Sequence, residues 1–413
     1  IFFIPFFRRS KATSAFEYLE QRYGVFVRTF AALSFILLQF IRVATVLYLV
    51  SIPIAGIFDV GLVWVIVIGG VFIGFYTVIG GIEAVISTDV IQTIILLLGG
   101  MLCLAIIIFK LPGGLRQVVE VGGEFNKFSF GPVNWNLGER TLTVMIILGL
   151  VSSVTGYASD QNIVQRYIAA KSTREARKAT LICALMSLPT WLSFYFLGTC
   201  MFVFYKVFGS AEVIKMHADE VLPHFILTQT PQFVGGLIVA ACLAAAMSSL
   251  DSSINSITTI WTIDFVRRFG RTRSDAEQLY LAKIVAIGVG AGMILGALII
   301  STIPKESIVD FNLIVVSIFG GGMLTIYMFG FFSKRVGNRA IMTGLIPAVM
   351  FNIYLGLNSM HVLPEAMRCG IHSYWTSILV NLVLMTVAYA ASFLWPNRRP
   401  LDGLTIWTIK LKQ

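Results

Sequence analysis

Residues 233–262 read FVGGLIVAACLAAAMSSLDSSINSITTIWT, thirty residues with a single charged side chain, Asp251. A helix needs about 20 apolar residues to cross the hydrocarbon of a bilayer, so this run is long enough to span one. Its second half is rich in hydroxyls: Ser248, Ser249, Ser252, Ser253 and Ser256 surround Asp251 and Asn255. Helical spacing puts Ser248, Asp251, Ser252 and Asn255 on one face, at i, i+3, i+4 and i+7. A carboxylate inside a span is costly and is found facing a bundle interior or a polar path. Serines alone fit helix–helix hydrogen bonding equally well. With Asp251 among them, the hydroxyl and carboxylate oxygens suit a hard cation.

The same reading extends along the chain. Apolar runs occupy 28–55, 61–80, 89–110, 141–163, 179–205, 233–262, 278–302, 309–332, 338–358 and 374–396, ten in all. Of the 413 residues, 57% are hydrophobic and only 13% charged, against about 25% charged in soluble domains. Mean hydropathy is +0.84. Such a chain cannot cover a water-facing surface, and its partner is the lipid bilayer. Transmembrane strands would show short alternating segments instead, so the class is an all-α membrane protein. The net charge of +10 does not point to nucleic acid, because the basic residues lie in short clusters between spans and not on one soluble face.

Those clusters set the orientation. Twenty-one Lys and Arg fall in one set of alternate connections, among them Arg8, Arg22, Arg28, Arg166, Arg267, Arg268, Lys334, Arg398 and Lys412. The other set holds eight, including Lys110, Arg140, Lys206 and Arg368. By the positive-inside rule the richer set is cytoplasmic, together with the C-terminal tail 397–413. The protein is then a multi-pass protein of the plasma or inner membrane, its chain one transmembrane domain over 1–413. The apolar run 1–7 stops at Arg8-Arg9 and is too short to span; it reads as the end of a helix that begins upstream.

Between spans, the connections 111–140 and 207–232 have the makings of short surface helices, and Leu404–Trp407 of an interfacial segment. Gly288, Gly290, Gly292 and Gly296 lie mid-span with no strand before them, which suits close helix packing and not a phosphate loop. Gly320–Gly322 either unwinds its span or lets a neighbour approach. The five cysteines form no CxxC pair, and the four histidines lie in polar connections, so neither disulfide nor zinc chemistry is indicated.

Two further places carry chemistry. Gln39, Arg42 and Thr45 follow one another at steps of three near the middle of 28–55. A guanidinium at that depth needs an anionic or carbonyl partner: a carboxylate of the protein, backbone carbonyls, or the carboxylate of a solute, for which the planar fork is suited. Thr88-Asp89 opens span 89–110 after Gly80-Gly81-Ile82-Glu83. Taken alone, an Asp at a helix start is an N-cap.

Taken together, four motifs in order resemble the sodium:solute symporter family. They are residues 13–23 (TSAFEYLEQRY), residues 76–85 (YTVIGGIEAV) with 88–92 (TDVIQ), residues 161–167 (QNIVQRY), and Ala244 through Ser256. What the resemblance implies is a leucine-transporter-like bundle of two inverted five-helix repeats, with its first core helices preceding Ile1, and transport by alternating access. It implies a main sodium site from the Ala245 carbonyl and the Ser248 and Ser249 hydroxyls, beside a backbone kink at Ala245. A second sodium site is implied from Asp89, Ser248, Asp251 and Ser252, with Asp251 standing where relatives carry a hydroxyl. Na+ is the implied coupling ion. Arg42, with Gln39 and Thr45, is implied at the substrate site, binding a small acidic solute such as sialic acid. Gly156, where a neutral-sugar relative has a gate tyrosine, argues against a neutral sugar.

Sodium/sugar and sodium/monocarboxylate symport are the nearer alternatives; a membrane sensor or a channel are the remoter ones. No HExxH or GxSxG occurs, so an enzyme is not expected. If Asp251 pairs within the protein instead of binding an ion, Arg42 is one candidate partner. If it binds the ion, two carboxylates share one site and transport should respond to pH and to sodium together.

Overall fold

The computed structural model describes residues 3–10, 14–210, 212–216, 218–270, 274–302 and 320–408. Among them the chain is helical, with one isolated bridge between Val336 and Pro396 and no strand. The start of the span expected at 309–332 lies outside the described residues, as does the Glu83 side chain.

Two short helices open the chain, α1 (Phe3–Ser10) and α2 (Glu17–Arg22). The spans follow: α3 (Val25–Phe58), then α4 (Leu62–Lys110), which holds two spans, Leu62–Gly80 and Ser87–Lys110. After α5 (Gly114–Glu124) come α6 (Leu142–Ser159), α7 (Gln161–Ala169) and α8 (Thr173–Phe208). Then α9 (Ala218–Gln229) leads into α10 (Gln232–Ile260), which continues through a π-helical turn, Trp261–Val266. The last four are α11 (Asp275–Thr302), α12 (Met323–Phe332), α13 (Asn338–Ser359) and α14 (Thr376–Leu394). Nine helical stretches among the described residues are long and apolar enough to cross a membrane. The helices α5 and α9 fill the two connections where surface helices were expected.

Burial follows from lipid as solvent. On α8, Leu181, Leu185, Leu188, Trp191 and Leu192 all stand exposed, with only 6% of the span's most apolar window buried. Water would penalise that face heavily; acyl chains do not, which is why the span needs no protein cover. Helix association then depends on close packing and polar contacts. Glycine supplies the closeness: a Cβ on Gly292 of α11 would stand 2.1 Å from the Phe40 ring of α3. Gly292 and Gly296, the latter 2.8 Å from the Ala44 methyl by the same measure, are therefore packing residues, whereas Gly288 has no such neighbour. Gly322 has φ +89 and opens α12, while a Cβ on Gly321 would meet Asn352 at 2.5 Å. Both readings of the glycine run hold at once, an unwound turn and a close neighbour.

Several expectations are corrected. Asp89 does not begin a helix: α4 runs through it, and its carboxylate serves other helices. The run expected to be continuous over 141–163 breaks at Asp160 (φ −75, ψ 117), whose side chain accepts from the Asn162 amide 2.8 Å away and caps α7. This is the N-cap arrangement, satisfying donors a helix start leaves open. At Ala245 the helix is not broken, since α10 runs as α-helix from Gln232 to Ile260. The Leu404–Trp407 surface segment is not among them: Trp407 is exposed, and the segment is tied to the bundle by the Tyr18 hydroxyl donating to the Leu404 carbonyl at 3.0 Å and the Trp407 indole to the Phe332 carbonyl at 2.8 Å.

Candidate functional site

A cavity of about 370 Å³ opens between α3, α6, α12 and α14. Phe16, Phe35, Leu38 and Met323 give it apolar walls; Gln39, Arg42, Ser152, Thr155, Ser159, Asp160 and Ser377 give it polar ones. Apolar lining with a few convergent polar groups is the usual make-up of a small-molecule site. Arg42 is exposed to the cavity, and its charge acts on Asp160 on the same wall set. Gln39 lines the cavity but is nearly covered, its Oε1 accepting from the Ser253 hydroxyl at 3.1 Å. Thr45 is not part of this wall. It has no exposed surface, and its hydroxyl donates back to the Ile41 carbonyl at 2.9 Å. Two steps of three on a helix already drift off one face, and Thr45 ends against protein. Gly156 lines the cavity, while Tyr157 beside it packs into the adjoining core.

The second constellation lies where α4, α7 and α10 meet. The Ser248 hydroxyl donates to one oxygen of Asp89. Arg166 Nη2 donates to the other at 2.7 Å and to the Ser252 hydroxyl at 3.2 Å. Asp251, with no exposed surface, accepts from the Tyr76 hydroxyl at 2.9 Å and from the Ser252 amide at 2.6 Å. Arg42 is not the partner of Asp251; the tyrosine holds that place. The geometry thus brings Asp89, Ser248, Asp251 and Ser252 into one neighbourhood of oxygen donors, the kind a hard cation takes.

Ala245, Ser248 and Ser249 sit half-buried on α10. In a regular helix the Ala245 carbonyl accepts the amide four residues on, leaving its second lone pair for an ion.

Helix α7 joins the two constellations. Its cap Asp160 faces the cavity; Asn162 Nδ2 donates to Asp160 at 3.0 Å; Ser256 donates to Asn162 at 2.6 Å; and Gln165 Nε2 donates to Ser256 at 2.8 Å. Next in sequence, Arg166 reaches the Asp89 cluster. Asp160, Arg166 and Tyr76 are site residues that composition and spacing did not single out. Arg166 and Tyr76 sit within the quoted motifs, where they looked like a surface charge and an apolar-run aromatic.

At the Lys- and Arg-rich end, ion pairs tie α2, α3 and the π-helical turn together. Arg28 Nε meets Asp264 at 2.5 Å and its Nη1 meets Glu20 at 2.6 Å, while Arg268 Nη2 meets Glu20 at 2.7 Å. The hydrogen bond from Arg268 holds the Glu20 carboxyl below its ordinary range. The π-helical turn carries Asp264 here, a local widening of the kind often found at functional sites. Arg22, fully buried, donates through Nη2 to the carbonyls of Ser333 (2.7 Å) and Val336 (2.8 Å).

Comparison with known proteins gives the family and the fold. The model of the sodium:solute symporter family matches residues 1–347. The sodium/sialic acid symporter SiaT of Proteus mirabilis (strain HI4320) is 34% identical over 352 residues, covering 84% of this chain and 71% of that protein. NanT of Aliivibrio fischeri (strain ATCC 700601 / ES114), also a sodium/sialic acid symporter, is 30% identical over 405 residues, covering 98% and 78%. A solved structure of a Na+-coupled sialic acid symporter in a substrate-bound outward-open state superposes with a TM-score of 0.84 at 29% identity, covering 97% of this chain and 81% of that one. The fold is therefore the leucine-transporter-like helical bundle that the motifs implied.

Proposed function

The chain belongs to the sodium:solute symporter family, and from that premise we propose that the cavity around Arg42 takes up an acidic sugar of the sialic acid class, driven by sodium bound to α10 and α4. Sodium-coupled uptake of a small solute across a membrane is the activity the family carries. The observation that carries the acidic substrate is Arg42, a guanidinium exposed in a mid-span cavity whose only charged wall partner among the described lining residues is Asp160. A carboxylate entering there gains a charge-assisted bidentate contact in surroundings of low dielectric. The hydroxyls of Ser152, Thr155, Ser159 and Ser377 suit a polyol. Thr45 belongs to this site only by its place on α3.

Two sodium positions are proposed. The main one draws on the Ala245 carbonyl and the Ser248 and Ser249 hydroxyls; the second on Asp89, Ser248, Asp251 and Ser252. Each set is oxygen-only, as a hard cation requires. The Arg28–Asp264–Glu20–Arg268 cluster serves as the inner closure, and the end that bears it is cytoplasmic by its excess of Lys and Arg, as is the C-terminus. No bond of the solute is made or broken. Glycine at position 156 leaves open a cavity wall that a bulky gate side chain would fill, which favours the larger acid over a neutral hexose.

The test is uptake into proteoliposomes of labelled N-acetylneuraminic acid, with neutral sugars and short monocarboxylates as competitors, under an inward sodium gradient or with choline. Sodium-dependent accumulation blocked by sialic acids supports the reading. Equal competition by neutral sugars, or accumulation without sodium, contradicts it.

A further inference from the structure

We propose that Arg166 is a tethered cation: its guanidinium holds the Asp89 carboxylate and the Ser252 hydroxyl until a sodium ion displaces it, and so it sets the sodium affinity of that position. The inference rests on the second sodium position proposed above and adds a competitor to it.

A single nitrogen carries the observation. Arg166 Nη2 lies 2.7 Å from Asp89 Oδ2 and 3.2 Å from Ser252 Oγ, bridging oxygens of α4 and α10 as a small ion between them would. The other Asp89 oxygen already takes the Ser248 hydroxyl, so three of the four proposed ligands surround that one nitrogen or its carboxylate partner. Ion and guanidinium cannot both hold Asp89 Oδ2 and Ser252 Oγ in the same way.

Arg166 is also built to leave. Its side chain is 50% exposed, whereas Asp89 is 14% exposed. Beside the pair lies a cavity of about 450 Å³ lined by Asp89, Val90, Thr93, Ala169 and Ala170, whose small side chains leave room for a swinging stem. A half-exposed ion pair is weak, so displacing it lowers the apparent affinity of the ion by only about two- to fivefold. That is enough to tune sodium binding and too little to prevent it. Arg166 also sits one residue beyond Gln165, which ends the hydrogen-bonded chain from Asp160 in the solute cavity. Its release therefore alters one end of a helix whose other end faces the solute.

The decisive experiment compares sodium dependence of uptake in proteoliposomes for the parent, R166Q and D89N, together with phenylglyoxal labelling of Arg166 in the unmodified transporter. R166Q should lower the half-saturating sodium concentration about two- to fivefold, while R166K, which keeps the charge, should move it less. Labelling of Arg166, quantified on its peptide by mass spectrometry, should rise in sodium relative to choline. If R166Q leaves sodium dependence unchanged or weakens it while D89N alters it, the tethered-cation proposal fails and the second position stands. If D89N has the parent's sodium dependence, the second position itself is wrong. Should R166Q not fold, labelling decides: equal modification in sodium and choline overturns the proposal.

Discussion

Arg28 and Arg42 lie on the same helix, fourteen residues or about 21 Å apart along its axis, yet their surroundings are opposite. Arg28 is covered by protein and held by Asp264 and Glu20 at 2.5 and 2.6 Å. Arg42 is exposed in the cavity, with Asp160 as its electrostatic neighbour. A paired buried guanidinium fixes structure, because removing either partner strands a charge. One that faces an open cavity is available to a ligand. On the function proposed above, the contrast divides α3 between an end that closes the bundle and a middle that binds.

The comparison can be broken at either residue, and the largest effect should come from the closed end. D264N leaves Arg28 with Glu20 and, at 3.9 Å, Glu17, and losing a buried ionic partner costs about 3–5 kcal/mol. The lower end applies here because Glu20 remains in contact. The measurement is the melting temperature in detergent, and a variant as stable as its parent would mean Arg28 is not locked by Asp264. R42Q should melt like the parent and lose acid uptake about ten- to hundredfold, the loss of a charge-assisted contact of about 1.5–3 kcal/mol. Initial rates at saturating sodium check this; a parent-like rate would put the acid elsewhere.

S249A sharpens the ionic side. Loss of one neutral hydroxyl ligand, worth about 0.5–1.5 kcal/mol, should raise the half-saturating sodium concentration about two- to tenfold at unchanged solute affinity. Uptake titrated with sodium tests it, and an unmoved midpoint removes Ser249 from the ion site.

The smallest effect is on pH. Because the Arg268 contact depresses the Glu20 carboxyl in the folded protein, Glu20 stabilises the fold above the ordinary glutamate value of about 4.3. That contribution fades as pH falls through the depressed folded value. The parent should therefore lose melting temperature on acidification in that window more steeply than E20Q. Parallel curves would mean the Glu20–Arg268 pair contributes nothing measurable.

What the sequence disclosed follows from what is local in it. Spans are contiguous apolar runs, so eight of the nine spans among the described residues emerged within six residues of their observed ends, the exception at 141–163 being cut by the Asp160 cap. Asp89, Arg42 and the serines around Asp251 stood out because a polar group in an apolar run is conspicuous by itself. Partners are not local. Tyr76 lies 175 residues from Asp251 and Asp89 lies 77 from Arg166, so nothing in either segment says which side chain meets which. Arg166 was legible only as a basic residue at a span end, and Asp160, inside the span expected at 141–163, was not singled out. Thr45 failed for a simpler reason: a threonine in a helix can bond its own turn, and it does so here.

The claim at the centre is that Arg42 binds the solute while Arg28 holds the bundle, and R42K tests it most directly. Lysine keeps the charge and loses the planar fork. Uptake of N-acetylneuraminic acid by R42K should fall at least about tenfold, with parent-like melting temperature and parent-like sodium dependence of the residual rate. Parent-like uptake by R42K, or loss of the folded protein in place of loss of transport, would contradict the assignment.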